Sequence, residues 1–254
     1  MSAPADRAAH LARVELERLL DNDAPALQAT LPRGFADAGE AFVALLLEAN
    51  ARTNLTRIVE PLDVARLHLL DSLSALPLLD GLGPGRALDL GSGGGVPGIV
   101  LALARPDVAW TLVDSVHRKA DAMRGFVDAL GLDNVTIIAE RAEILGRDPV
   151  HRERYDVVTA RACAALPVLV ELALPLVRGG GALLGWKGSL SGEELRAGEA
   201  AATQLGGGAP EVRASGLAVL GDHRFVLVRK TGPTPDRYPR KAGEAARRPL
   251  GGKA

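Results

Sequence analysis

From Leu88 to Gly98 the chain reads Leu88-Asp89-Leu90-Gly91-Ser92-Gly93-Gly94-Gly95-Val96-Pro97-Gly98, and this run constrains the fold more than any other. With Ala87, its first residues make a short apolar strand, and its last residues open a helix over residues 99–104. The glycines between them permit a tight turn and let a ligand approach the backbone closely. The N–H groups at the helix start favour an anion or a carboxylate. Strand, glycine turn and helix in this order are the opening of an α/β unit, so a parallel sheet is expected.

The rest of the chain repeats the alternation. Apolar strands are expected at residues 110–113, 135–138, 155–158 and 182–186, and helices at 117–130, 168–177 and 191–204. Near-continuous apolar strands separated by helices imply a sheet covered on both faces. Two late strands, 212–214 and 225–228, have no helix between them and read as a terminal antiparallel hairpin. Ahead of the sheet, residues 7–20 have helical periodicity, with Leu11, Val14 and Leu19 sharing a face. A second helix is expected over 36–51 with Phe42, Leu45 and Leu46 inward, and a third starts near Pro61 and carries Val64, Leu67 and His68. The turn cluster Gly81-Leu82-Gly83-Pro84-Gly85 marks the boundary. The expected division is therefore a helical extension packed on the core (1–80), a ligand-binding α/β domain (81–230) and a basic Pro/Gly/Arg-rich tail without a core pattern (231–254).

Composition narrows the class. Apolar residues make up 47% of the chain and aromatics only 3%, so the core is built from Leu, Val and Ala. No apolar run reaches membrane-spanning length and no signal core follows the N-terminus, which points to a cytoplasmic protein. The one cysteine, Cys163, excludes an intrachain disulfide and a cysteine zinc cluster, and no metal is expected. A net charge of −1 does not by itself call for nucleic acid, but the segment from Thr231 onward holds six basic residues (Arg237, Arg240, Lys241, Arg247, Arg248, Lys253) against two acidic ones. Such a tail suits a phosphate-rich partner or stands as a solvated extension.

Two ligands fit the glycine turn. Gly93-Gly94-Gly95-Val96-Pro97-Gly98 satisfies the dinucleotide pattern G-x-G-x-x-G, the mark of a NAD-dependent oxidoreductase. The other frame is Asp89-x-Gly91-x-Gly93-x-Gly95. A carboxylate at that strand end repels a pyrophosphate and suits S-adenosylmethionine, which carries a sulfonium and an ammonium, so the second frame is preferred. Asp114 ends the second strand, 23 residues after Gly91, near the spacing of about 20 for an acid that binds the ribose hydroxyls of an adenosine. Its alternative role is a helix cap. Arg141-Ala142-Glu143 follows the third strand, at the edge that flanks the adenine in such sheets.

Further motifs stand in order along the chain: Asn54-Leu55-Thr56, His68-x-x-Asp71-Ser72, the glycine turn, Leu112-Val113-Asp114-Ser115, Arg141-Ala142-Glu143, Arg161-Ala162, Lys187-Gly188, Tyr238-Pro239-Arg240-Lys241-Ala242-Gly243 and Pro249-Leu250. Together they resemble the small-subunit (16S) ribosomal RNA guanine-N7 methyltransferase G family, also called glucose-inhibited division protein B, over about residues 40–250. The resemblance implies a class I methyltransferase fold, a doubly wound, mostly parallel seven-stranded sheet with an N-terminal helical cap. It implies methylation of a guanine in 16S rRNA of the small ribosomal subunit, and S-adenosylmethionine contacts at Gly91, Val96, Ala142, Glu143 and Arg161. Val96 departs from the larger apolar residue usual there. Gly125 is unusual inside a helix and costs roughly 1 kcal/mol against alanine.

Methyl transfer from a sulfonium is an in-line displacement, governed largely by positioning. Guanine N7 offers an in-plane lone pair and has no proton to lose, so no general base is required. Arg161 and Lys187 follow strands at the carboxyl edge, where ligands bind in open α/β sheets, and are the candidate positioning residues. The Asn/Asp-Pro-Pro-aromatic loop of exocyclic-amine methylation is absent, and Cys163 lacks the Pro-Cys context of carbon-5 pyrimidine methylation. Arg52, Asn54, Arg57, Arg66, His68, Lys187, Arg240 and Lys241 are the candidate RNA contacts. Few aromatics are available for base stacking, so recognition of folded RNA or an assembled subunit by a monomer is expected. Competing readings are a methyltransferase for a protein or small molecule, the oxidoreductase, and a non-catalytic division regulator.

Overall fold

The computed structural model describes residues 2–161 and 164–252, so Cys163, Ala162 and Lys253 lie outside the described residues. Within them a seven-stranded sheet runs in the order β3-β2-β1-β4-β5-β7-β6. The strands are β1 Arg86–Leu90, β2 Ala109–Val113, β3 Val135–Ile138, β4 Tyr155–Arg161, β5 Val177–Lys187, β6 Glu211–Ala214 and β7 Arg224–Arg229. β1 to β5 pair in parallel, and β7 is antiparallel to both β5 and β6. Alternate residues of the central strands face opposite cores, as a doubly wound sheet requires. Ala87, Trp110, Val157 and Leu184 join one cluster, while Leu88, Val113, Val158 and Leu183 join the other.

The first cluster is continuous with the N-terminal helices Ala3–Asp23 and Phe35–Thr53, whose Leu16, Leu19, Phe42 and Leu46 are buried in it. The helical cap and the sheet thus share one core. The helix Phe35–Thr53 ends at Asn54, which takes a left-handed conformation (φ 50°) and donates its N–H to Asn50 O. Short polar residues are favoured there, and the pattern break at Asn54 reflects it. The next helix covers residues 61–73 and widens to π geometry over Val64–Leu70. Its inner face carries the site residues described below.

Three expectations need correction. Leu11 and Val14 are 47% and 50% exposed, because Ala5, Ala9, Ala12 and Leu16 form the inward face of Ala3–Asp23. Alanines let the helix approach closely, and large apolar residues alone misplace its stripe. The helix expected over 168–177 is Leu166–Ala173, and Val177 already begins β5. A Cβ on Gly181 would lie 2.4 Å from Asp156 O, so only glycine lets β5 pass β4 at that point. Finally, the tail is packed on the body: Thr234, Tyr238 and Ala245 are buried. Its anchors are polar, so no apolar periodicity announces it. Arg152 donates to Thr234 O and Tyr238 O, and Arg147 donates to Pro239 O.

Candidate functional site

The chain reverses direction across the sheet between β1 and β4, which lie side by side although β2 and β3 intervene in sequence. Ligands of open α/β sheets bind at such a switch point, beyond the carboxyl ends of the strands. The glycine turn sits there. Gly91, Gly93 and Gly95 all take positive φ (73°, 59° and 88°), which fits the frame of alternating glycines. The N–H groups of Gly91 and Ser92 donate to Val113 O, and that of Gly93 to Asp114 Oδ2 at 3.0 Å. A Cβ at Gly93 would meet only Gly91 O at 3.9 Å, so this side of the loop is open to a ligand.

Asp89 does not face that opening. It is fully buried, its Oδ1 accepting from Thr159 Oγ1 (2.8 Å) and its Oδ2 from the Gly98 N–H (3.2 Å). The carboxylate braces the two ends of the loop from beneath, which corrects its expected role as a direct electrostatic partner of the sulfonium. Burial pushes its pKa up to about 6, against the opposing pull of Thr159, Ser92, Arg161 and the Gly98 N–H. A buried group raised in this way stabilises the fold when protonated, below its unfolded value near 4, and that stability is lost as pH rises through 6. Asp89→Asn is therefore expected to unfold no earlier than the parent at pH 8. An amide can accept from Gly98 and donate to Thr159 Oγ1. Affinity for S-adenosylmethionine should stay within about threefold, under ~0.7 kcal/mol. A drop beyond tenfold in a calorimetric titration would return Asp89 to the ligand.

The acids that do reach the crevice are Asp114, Glu143 and the half-buried Glu140. Asp114 and Glu143 are largely buried and line a cavity of about 360 Å³ with Leu90, Gly91, Ala142 and Arg161. That size is within the range of small-molecule sites. Asp114 combines its two expected roles, accepting from Gly93 N and from Val116 N (2.8 Å) while lining the cavity. Glu143 accepts from Arg141 Nη2 (3.1 Å) and from the Gly243 N–H (2.8 Å). Burial works to raise its pKa, but the Gly243 N–H, its own N–H and Arg141 outweigh it and hold the carboxyl below the usual range. Val96 lines a smaller adjoining recess with Gly91, Gly93, His68 and Arg161. An open glycine loop, acidic acceptors and apolar walls fit an adenosine bearing a cationic methionine chain.

Arg161 stands at the end of β4, where the cavities meet. It donates from Nη1 to Leu67 O (2.6 Å) and Asp71 Oδ2 (3.3 Å), and from Nη2 to His68 Nδ1 (3.2 Å). Because Nδ1 accepts, His68 carries its proton on Nε2 and donates to Thr56 Oγ1 at 2.8 Å. Burial first, and the Arg161 charge second, push the pKa of His68 down to about 4. It is neutral at physiological pH, largely buried, and holds Arg161 from the wall of a further cavity. Beyond Arg161 lies a second cavity of about 500 Å³, lined by Arg57, His68, Asp71, Trp186, Lys187 and His223 among others. Lys187 donates there to Glu194 and to Ala164 O, both at 2.8 Å.

The other RNA candidates scatter. Arg57 borders the second cavity, Asn54 is exposed at the end of its helix, and Arg52 is exposed and lines a separate recess of the cap. Arg66 pairs with Asp63 at 3.1 Å. Lys241 is exposed, whereas Arg240 is committed to the buried carboxylate of Glu171, with Nε to Oε1 at 2.8 Å. Sequence reasoning missed His223, whose Nδ1 lies 3.0 Å from Asp71 Oδ1, and Trp186, whose Nε1 donates to Asp71 O. Neither stands in a recognisable motif. It also missed the tail as a wall of the first cavity, although Gly243 ends a motif that it had singled out. Among the described residues no cluster of His, Cys, Asp and Glu is placed to hold a metal, and no helix is long and apolar enough to cross a membrane.

Comparison with known proteins adds a family. The model of the rRNA small subunit methyltransferase G (GidB) family matches residues 37–217. A ribosomal RNA small subunit methyltransferase G of Deinococcus deserti is 49% identical over 215 residues, covering 84% of this chain and 88% of that protein. Its namesake in Deinococcus radiodurans is 45% identical over 241 residues, covering 91% and 95%. Among solved structures, an O-methyltransferase from Bacillus cereus in complex with SAH superposes with a TM-score of 0.50 at 20% identity, covering 73% of this chain and 89% of the other. That likeness concerns the fold alone.

Proposed function

The chain belongs to the rRNA small subunit methyltransferase G family, and on that premise we propose that it transfers a methyl group from S-adenosylmethionine to N7 of a guanine in 16S ribosomal RNA. The observation that carries the reading is the meeting of two cavities at Arg161: an acid-lined crevice over the glycine turn, and a larger one bordered by Arg57, Arg161 and Lys187. Gly91, Gly93, Gly95, Val96, Asp114, Ala142, Glu143 and Arg161 would hold the cofactor. When bound, it supplies an electrophilic methyl group on sulfonium sulfur.

The acceptor base enters through the second cavity. Its basic rim suits a phosphate backbone, since counterion release favours Lys and Arg beside nucleic acid. Guanine N7 needs no deprotonation, and the neighbouring histidine, His68, is held neutral by donating to Thr56 and accepting from Arg161. Arg161 is locked by the helix 61–73, so it presents a fixed surface between donor and acceptor instead of a mobile charge. Pre-set geometry of this kind is what in-line transfer demands. Family membership sets aside the nicotinamide oxidoreductase and the division regulator.

The test is direct. N7-methylguanine is mapped by chemical cleavage in 16S rRNA from cells with and without the gene, and in small subunits incubated with the purified protein and labelled S-adenosylmethionine. One cleavage site should vanish without the gene and return on incubation. An unchanged cleavage pattern sinks the assignment.

A further inference from the structure

The C-terminal tail contains an unexplained arrangement. Its last helix, Glu244–Arg247, and the residue before it do not project into solvent: Gly243, Ala245 and Ala246 line the acid-lined crevice, facing Asp114, Glu143 and Val113. We propose that this segment is the outer wall of the cofactor crevice and closes over the adenine ring of S-adenosylmethionine. The inference rests on the cofactor reading given above.

Three observations converge on it. First, the tail positions a cofactor-facing acid, because the Gly243 N–H donates to Glu143 Oε1 at 2.8 Å, across 100 residues of sequence. Second, the tail is anchored on both sides of the wall. Arg240 grips Glu171 through Nε and through its own backbone N–H (3.0 Å), and donates to Arg248 O at 2.8 Å, which ties the two ends of the wall segment together. Upstream, Pro239 packs on Gly146 so tightly that a Cβ there would lie 2.8 Å from Pro239 Cγ. Third, the facing surface is chemically suited to a flat ring. Leu90, Val113, Ala142, Val168 and Leu172 supply apolar walls on the body, and Ala245 and Ala246 add small side chains opposite them. Flat apolar slots with a few polar groups at the rim are what aromatic bases occupy. The edge beside β2 and β3 is the adenosine side of such sheets. The tail is therefore part of the nucleotide site, and its basic residues outside the wall are incidental to this role.

Calorimetric titration of S-adenosylmethionine and S-adenosylhomocysteine into three proteins tests it: the intact chain, a chain ending at Ala242, and Ala246→Trp. The truncation keeps Tyr238, Pro239 and Arg240, so the anchors on Glu171 and Gly146 stay while the bond to Arg248 O goes with the wall. Ala246 is exposed, so the tryptophan is expected to fold and to fill the slot. Both variants should bind at least about tenfold more weakly, ~1.4 kcal/mol, with unaltered circular dichroism and an unaltered melting curve in the absence of ligand. Affinity within about twofold of the intact chain in both variants, ~0.4 kcal/mol, overturns the proposal. The same follows if the truncation lowers only rRNA binding, which would make the tail an RNA arm. If the intact chain binds neither compound, the cofactor reading itself falls and takes the wall with it.

Discussion

Arg240→Ala is expected to lower the free energy of unfolding by about 3–5 kcal/mol, the usual loss when one partner of a buried ion pair is removed. The partner, Glu171, has no solvent exposure, and Arg240 is its charged partner, through Nε at 2.8 Å and through Nη2. Without the guanidinium, the carboxylate keeps, among the described residues, the residue 240 backbone N–H. Urea denaturation of the two proteins at neutral pH gives the difference. Replacing both partners, with Glu171→Leu beside Arg240→Ala, should recover most of the loss, because an apolar side chain tolerates that site. A single-variant loss under about 1 kcal/mol, the range of surface pairs, would mean that Glu171 finds water or another donor. The same experiment separates a strut from an RNA contact, since losing a phosphate contact leaves stability alone and flattens the salt dependence of binding.

That arginine also shows where sequence reasoning reaches its limit. The sheet is legible because its information is local: apolar runs at β1, β2 and β3 and the stop at Gly131 place strands and helices to within a residue or two. The glycine turn is legible too, since positive φ at three positions calls for glycine. What a charged side chain faces is not local. Arg240 sits in a run of basic residues and reads as an arm, yet its partner lies 69 positions earlier, in the helix Leu166–Ala173. Asp89 reads as a ligand acid because it precedes a glycine turn. Its alternation along β1 puts it beside Thr159 of β4, facing away from the crevice. His223 carries no sequence signal at all, because what matters is its approach to Asp71, which lies 152 positions away.

Arg161→Ala should reduce kcat/KM on the order of 10²-fold, the effect of misplacing a site by about an ångström, and should also change how the protein responds to acid. The arginine ties Leu67, His68 and Asp71 of the cap helix to the end of β4, so its loss frees the wall shared by both cavities. Arg161→Lys is not a rescue, because an ammonium cannot span these three acceptors in the geometry of a planar fork. The pH response has a definite sign. His68, lowered to about 4, stays neutral in the fold while the unfolded chain takes up a proton near 6.5. Its contribution is present above 6.5 and is lost as pH falls towards 4, about 3 kcal/mol over that window. Asp89, raised to about 6, works the other way and gains on acidification. Removing the Arg161 charge relieves one cause of the low His68 value and one brake on the high Asp89 value. Both shifts make the variant lose less stability than the parent between pH 6.5 and 4, although it starts from a lower value. Unfolding curves at four pH values across that window, with an NMR titration of His68, measure the effect. Parallel stability curves for the two proteins would show that Arg161 is electrostatically remote from both residues, and its role as the hinge of the site would then have to be abandoned.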